Sequence, residues 1–189
     1  MLEGEGDRVS NLELLLNQYE SYITAPWQPA KAAPQRVIFV IYDPKDERRL
    51  RARVGEFELA TGRAKKGWLK YDVTDSFAQW MAAHEYRESY FEAPTALSIA
   101  LVEFEKYVSG EVREVLNNPD ADENAVVAIL GVASLFGYMS VAKLVESVEK
   151  SVRGRLLVFF PGQHDDAVYR LLDARDGWNY HAVPITARE

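Results

Sequence analysis

The chain has 189 residues, of which 48% are hydrophobic and 12% aromatic, enough to bury one core and too apolar for a disordered segment. Its formal net charge of −7 argues against general nucleic-acid binding, which depends on Lys and Arg meeting phosphates. Cysteine is absent, which excludes disulfides, thiolate metal sites and cysteine nucleophiles, and agrees with a reducing compartment. The opening stretch MLEGEGDRVS is acidic and does not read as a signal peptide. No apolar tract approaches the roughly 20 residues that cross a bilayer, so a cytoplasmic protein without membrane contact is expected.

Ser10 to Ile23 reads as the first helix. Ser10 and Glu13 have capping-box spacing, and Leu12, Leu15, Leu16, Tyr19 and Ile23 share one face. TAPWQPAKAAPQ has three prolines and no period, so it is a surface connector. RVIFVIYD is a continuous apolar run, suited to a central parallel strand. The next stretch predicts a helix with Asp43 as N-cap, Pro44 in its first turn and Gly62 at its end. GWLKYDV reads as a second strand. TDSFAQWMAAHEY reads as a short helix capped by Thr74 or Asp75. A longer helix starts at Pro94, with Leu97, Leu101, Phe104 and Val108 on one side.

AVVAIL predicts a third buried strand ending at Gly131, SVAKLVESVEKS an amphipathic helix, and RLLVFF a fourth strand running into a Pro161-Gly162 turn. YRLLDARDGWNYHAVPI alternates around Asp-Gly and suggests two final strands in a hairpin or antiparallel edge. The fold expected is therefore a single α/β domain with a mainly parallel central sheet flanked by helices, Rossmann-like but with no phosphate loop, and a C-terminal antiparallel edge. Residues 1–35 form an N-terminal helix and connector, and residues 36–189 the sheet core.

Ligands in such sheets sit beyond the carboxyl ends of the strands, where Asp43, Asp72, the Gly131–Ser134 turn and Pro161–His164 would collect. Asp43 at the end of an apolar strand is the pattern of a nucleotide-hydrolase magnesium site, but no G-x-x-x-x-G-K-[ST] and no G-x-G-x-x-G accompanies it. Capping the next helix explains Asp43, and a strand-to-helix turn explains Asp72. His164, Asp165 and Asp166 could serve a metal or acid/base site, yet hydrolytic metal sites draw ligands from several elements. A solvated loop is the simpler reading. His84 and His181 have no ligand-spaced partner. No catalytic set, metal site or cofactor is expected.

Between Pro44 and Tyr71 there are nine Lys/Arg against four Asp/Glu. Arg48, Arg51, Arg53, Lys65 and Lys66 form either an ordinary solvated face or a phosphate-contacting patch. Tyr169, Trp178 and Tyr180 pack onto the sheet or, if exposed, mark an interface.

The last third carries ILGVASLFGYMSVAKLVESV, then GRLLVFFPG, then NYHAVPI. In order and spacing these resemble the BrxB family, small proteins of the bacteriophage exclusion (BREX) defence systems. Gly131, Val132, Ser134, Leu135 and Phe136 match the turn motif, Pro161 and Gly162 the strand end, and Asn179 and Tyr180 the third motif. RVIFVIYDPKDERRLR and WLKYDVTDSF extend the likeness from about Arg36 onward. The chain departs from the family at Gly137 and Ser140, where Pro and Arg are expected, and at His181, where Arg is expected.

The resemblance implies a cytoplasmic, non-catalytic subunit that binds other members of the system, above all the phosphatase-like PglZ protein, with direct DNA binding not expected of it alone. Gly131, Ser134, Pro161, Gly162, Gln163, Trp178 and Tyr180 are then the candidate partner-binding residues. The alternative is a nucleotide- or nucleic-acid-binding module that uses the carboxyl edge and the basic 45–70 segment.

Overall fold

The computed structural model of the protein describes residues 3–28, 32–166, 168–174 and 177–187, with side chains from residue 11 onward. The apolar runs become strands covered on both sides. β1 (Val37–Tyr42) is buried at every position. β2 (Gly67–Asp72) has no buried position, its residues being half-buried or exposed, β3 (Ala125–Leu130) is buried throughout, and β4 (Arg155–Asp165) is buried from Arg155 to Gly162. β5 (Val168–Leu171), β6 (Trp178–Asn179) and β7 (Val183–Ile185) complete the set. The main sheet has the order β2-β3-β4-β1-β7, and every neighbouring pair on that path is parallel. A parallel sheet needs helices on both faces, which is why its central strands read as unbroken apolar runs.

Each strand divides its side chains between two cores. Ile38, Val40, Val126, Ala128, Leu157 and Phe159 face α1 (Glu3–Thr24) and α2 (Glu47–Arg63). From α1 come Leu12, Leu15, Tyr19 and Ile23, and from α2 come Leu50, Val54 and Phe57. The buried Tyr19 hydroxyl lies 2.6 Å from Thr61 Oγ1, which in turn donates to the Phe57 carbonyl, so each of these two hydroxyls has a partner. On the opposite face lie α3 (Ser76–Ala83), α4 (Arg87–Glu92), α5 (Leu97–Asn117) and α6 (Val141–Val148). There Phe39, Val127, Val158 and Phe160 meet Phe104, Val108, Val112 and Leu144. The protein is thus an α/β domain with a mainly parallel sheet between two helical layers.

The element ends differ from the sequence reading in ways that backbone geometry explains. α1 starts at Glu3, so Ser10 lies inside the helix and is not its N-cap; its side chain lies outside the described residues. Asp43 caps a 3-10 turn, Pro44–Asp46, accepting from the Lys45 N–H at 2.9 Å, and α2 follows one turn later. The left-handed residue that stops α2 is Lys65 (φ 57°), not Gly62, which stays helical. Asp75 occupies the N-cap position of α3 as one of the two expected residues, though its side chain makes no cap hydrogen bond, and the Thr74 hydroxyl donates to Asp72. α4 is a helix that no clear period announced.

The largest correction concerns Pro161-Gly162. β4 does not turn there; it runs on to Asp165 and changes partner. Pro161 is the last residue in register with β1, opposite Tyr42, and Gly162 is the first paired with β5, opposite Leu171. A proline has no N–H for a ladder, so it is tolerated where one pairing ends and the next begins. Gly162 is required by close approach: a Cβ there would lie 2.0 Å from the Arg170 carbonyl oxygen. The turn falls instead at Asp166, with φ 51°, so His164 and Asp165 belong to a strand rather than a loop. β5 and β6 form the expected antiparallel pair, but β7 joins β1 in parallel, and Asp176 of the Asp-Gly signal lies outside the described residues.

Phe39 joins the sheet to this hairpin: it is fully buried and its ring lies 4.7 Å from Tyr169, 5.3 Å from Phe160 and 5.6 Å from Trp178. Phe39→Ala is expected to cost about 3–5 kcal/mol of unfolding free energy, measured by guanidinium denaturation, the usual scale for removing a packed aromatic ring.

Candidate functional site

Two features occupy the carboxyl edge of the sheet. The first is a polar network at the ends of β1, β2 and β3. The Tyr42 hydroxyl donates to Glu47, whose other oxygen accepts from Arg51 Nε at 2.7 Å. Arg51 then reaches from α2 to donate to Asp72 Oδ2 and to Thr74 Oγ1, both at 2.6 Å. Asp72 Oδ1 accepts from the Thr74 N–H at 3.0 Å and from its hydroxyl at 2.5 Å. Gly131 lies against this group, with φ +77°. A Cβ at that position would stand 2.2 Å from Thr74 Oγ1 and 2.6 Å from Asp72 Oδ1, so both backbone angle and space require glycine. Ser134 Oγ sits 3.1 Å from the Val73 carbonyl and 2.8 Å from that of Gly131, tying β2 to β3.

The electrostatics follow from these bonds. Partial burial pushes the Asp72 carboxyl up, but the hydrogen bonds and charge of Arg51 and the donors of Thr74 outweigh it and hold Asp72 below the ordinary carboxylate range. The Asp72 hydrogen bond raises Arg51 in turn, against its own desolvation. Burial, then the Glu47 hydrogen bond, raises Tyr42. Both Asp72 oxygens are occupied by fixed donors, so this carboxylate acts as a fastener between strand ends.

The other candidate acids and histidines are dispersed. Among the described residues Asp43 takes no part in the Asp72 network. His164 rests on Tyr169 with ring centroids 4.6 Å apart, and Asp165 follows it on the same extended strand, so the two point to opposite faces. His84 accepts from the Tyr86 N–H and lies 3.4 Å from Glu103, while His181 is exposed ahead of β7. No group of three or more His, Asp or Glu able to hold a metal occurs among the described residues.

The second feature is a groove of about 420 Å³ between the start of α6 and the β4–β5–β6 hairpin. Phe136, Tyr138, Phe160, Tyr169, Leu171 and Trp178 line it, together with the Lys143–Glu105 ion pair at 2.9 Å. Phe136 is 47% exposed. Trp178 stacks on Tyr180 at 4.5 Å, and its indole Nε1 is buried without an acceptor among the described residues. Tyr180 is itself buried, with its hydroxyl donating to Glu149.

Of the sequence-selected partner residues, Gly131, Pro161, Gly162 and Tyr180 are therefore interior, Ser134 and Trp178 are half-buried, and Gln163 is exposed. Phe136, Tyr138, Phe160, Tyr169 and Leu171 also line the groove and were not selected. For Phe136 and Tyr138 the signal was a pair of aromatics flanking a glycine, and Gly137 has φ +83°.

Gly137 and Ser140 are the positions of this turn at which the sequence resemblance leads to an expectation of Pro and Arg. A proline, locked near φ −65°, could not adopt the conformation of Gly137. Ser140 caps α6, its Oγ accepting from the Ala142 N–H at 3.2 Å, a bond that an arginine could not accept. The turn in this chain has its own local geometry.

The basic segment is divided. Arg48, Arg51 and Arg53 lie in the first turns of α2, Lys65 and Lys66 beyond its last, about 20 Å away at 1.5 Å per residue. Arg51 is held by Glu47 and Asp72, and Arg53 by both oxygens of Glu56 at 2.8 Å. Lys66 donates to Asn124 and lies 4.1 Å from the Trp27 ring centre. These five residues do not form one continuous patch.

Two outcomes follow for the network. Gly131→Val is expected to destabilise the fold by about 1–3 kcal/mol, the scale of forced overpacking, while Ser134→Ala costs about 1 kcal/mol, both read by chemical denaturation. For Asp72 the folded pKa is depressed, so its contribution is complete above the unfolded carboxylate value of about 3.9 and is lost as pH falls through the lowered folded value. Asp72→Asn should lower the melting temperature at neutral pH and leave a shallower decline below about pH 4 than wild type shows.

Compared with known proteins, the chain matches no family model, no curated protein and no solved structure.

Proposed function

We propose that the protein is a non-catalytic interaction subunit of a BREX phage-defence complex and that it binds the PglZ component through the aromatic groove. One observation carries this reading: the three stretches on which the BrxB resemblance rests lie apart in sequence and flank one groove. Phe136 comes from the first, Phe160 directly precedes Pro161-Gly162 of the second, and Trp178 directly precedes Asn179-Tyr180 of the third. A partly exposed aromatic groove with an ion pair among its lining residues has the make-up of an anchor site, where a buried aromatic or aliphatic side chain supplies most of the affinity.

The state of Asp72 agrees with a structural role at the carboxyl edge, because Arg51 and Thr74 already satisfy its oxygens. The nucleic-acid reading has less support, since the basic residues it needs are split between the two ends of α2 and several are paired with carboxylates.

The test is co-purification with PglZ from a host that carries the surrounding defence genes, followed by affinity measurement on the purified pair. Phe136→Asp and Lys143→Glu should weaken association roughly tenfold or more, with the melting temperature unchanged because both groove residues are exposed. If the purified proteins do not associate, or both variants bind as wild type does, the groove is not the PglZ site. Phosphatase, nuclease and nucleotide hydrolysis should stay at background. Activity that disappears in Asp72→Ala would assign the protein to the enzymes instead.

A further inference from the structure

We infer that α4 and the first turns of α5 form a second docking surface, distinct from the groove, for a basic protein segment that presents apolar side chains. Four of the large hydrophobic residues exposed among the described residues fall in this one stretch: Tyr86 at 56% exposure, Phe91 at 70%, Ile99 at 82% and Val102 at 55%. Scattered single exposed apolar residues are ordinary, whereas a group gathered on consecutive elements is the mark of a contact surface. The helix pattern explains why the fold does not bury them. α5 turns Ala100, Phe104, Val108, Val112 and Leu116 inward, which sends Ile99 and Val102 outward. α4 has no buried residue.

The surface is held in place, not merely left over. Tyr90 and Leu97 are partly buried against the core. His84 lies with its ring 4.9 Å from Trp80 and 5.1 Å from Tyr90, and its Nε2 is 3.4 Å from Glu103 of α5. Between residues 85 and 99 every residue except Tyr90 and Leu97 is exposed, so the anchored segment is open to solvent along most of its length.

Charge selects the occupant. From residue 85 to residue 103 the chain carries Glu85, Glu88, Glu92 and Glu103 against a single Arg87, which donates to the Ala82 carbonyl. A second copy of this chain, meeting the patch with its own, would set carboxylates against carboxylates. Anionic lipid headgroups would be repelled in the same way. A segment with apolar residues backed by Lys or Arg complements both the apolar centre and the acidic surround. This inference does not depend on the identity of the groove's partner.

The test uses the full chain and two synthetic amphipathic helices, each about five turns long: leucines backed by lysines in one, by glutamates in the other. Fluorescence anisotropy should show saturable binding of the Leu/Lys peptide that weakens as salt rises, and none of the Leu/Glu peptide. The double variant Phe91→Ser/Ile99→Ser should bind the Leu/Lys peptide roughly tenfold or more weakly with an unchanged melting temperature. Phe136→Asp, in the groove, should bind it as wild type does. Equal binding by the double variant, equal binding of the Leu/Glu peptide, or loss through Phe136→Asp would each overturn the proposal. So would a dimer, seen by sedimentation, that the double variant abolishes, since that would give the surface to a second copy.

Discussion

The structure depends on the parallel pairing of β1 with β4, two strands buried on both faces and in register from Val37 opposite Leu156 to Tyr42 opposite Pro161. With no water on either side, every residue of the pair must meet a packing partner, and every amide a hydrogen bond. That demand calls up both helical layers: α1 and α2 cover Ile38, Val40, Leu157 and Phe159, while α5 and α6 cover the residues between them. The same pair also sets the position of the groove. Phe39 and Phe160 project to one side, and the hairpin after Gly162 folds back over them with Tyr169 and Trp178.

At the carboxyl edge, where many sheets of this kind hold a ligand, this chain closes the strand ends with its own side chains. Arg51 serves three acceptors on three different residues, Glu47, Asp72 and Thr74, and so connects α2 to β2. An isolated exposed ion pair contributes little, but a planar guanidinium held by several fixed acceptors is a geometric constraint as well as a charge contact. It leaves Gly131 no room for a side chain, so the start of the motif-bearing turn is set by the network beside it. The turn then presents Phe136 to solvent between Leu135, which is buried, and Tyr138, which stacks on Phe77 at 3.9 Å. A structural fastening and an exposed aromatic side chain are thus neighbours along one short stretch of chain.

Two exposed surfaces of opposite character are visible on the protein. The groove is concave and aromatic and built on the rigid pair β1–β4. The α4–α5 surface is acidic and is carried on the short α4 and the first turns of the long α5.

Much of this was written in local patterns. VIFVIY and AVVAIL have no polar residue to face water, so they become central strands in any fold of this class, and the absence of a phosphate loop could be read directly. Gly131 as a backbone-limited position followed from its place after a fully apolar strand. What only the tertiary structure decided were features that depend on residues far apart in sequence. Pro161-Gly162 reads locally as a turn, yet β5 supplies a new pairing partner that carries the strand through it. Lys65 ends α2 where Gly62 offered the cheaper signal, because the chain must leave in line with β2 beside β3. The groove is built by aromatics from three separate segments, so no single stretch of sequence could have announced it. The basic segment, continuous in sequence, is pulled apart by the length of its own helix. Local propensity determines which elements form; long-range pairing decides where they stop and which side chains meet.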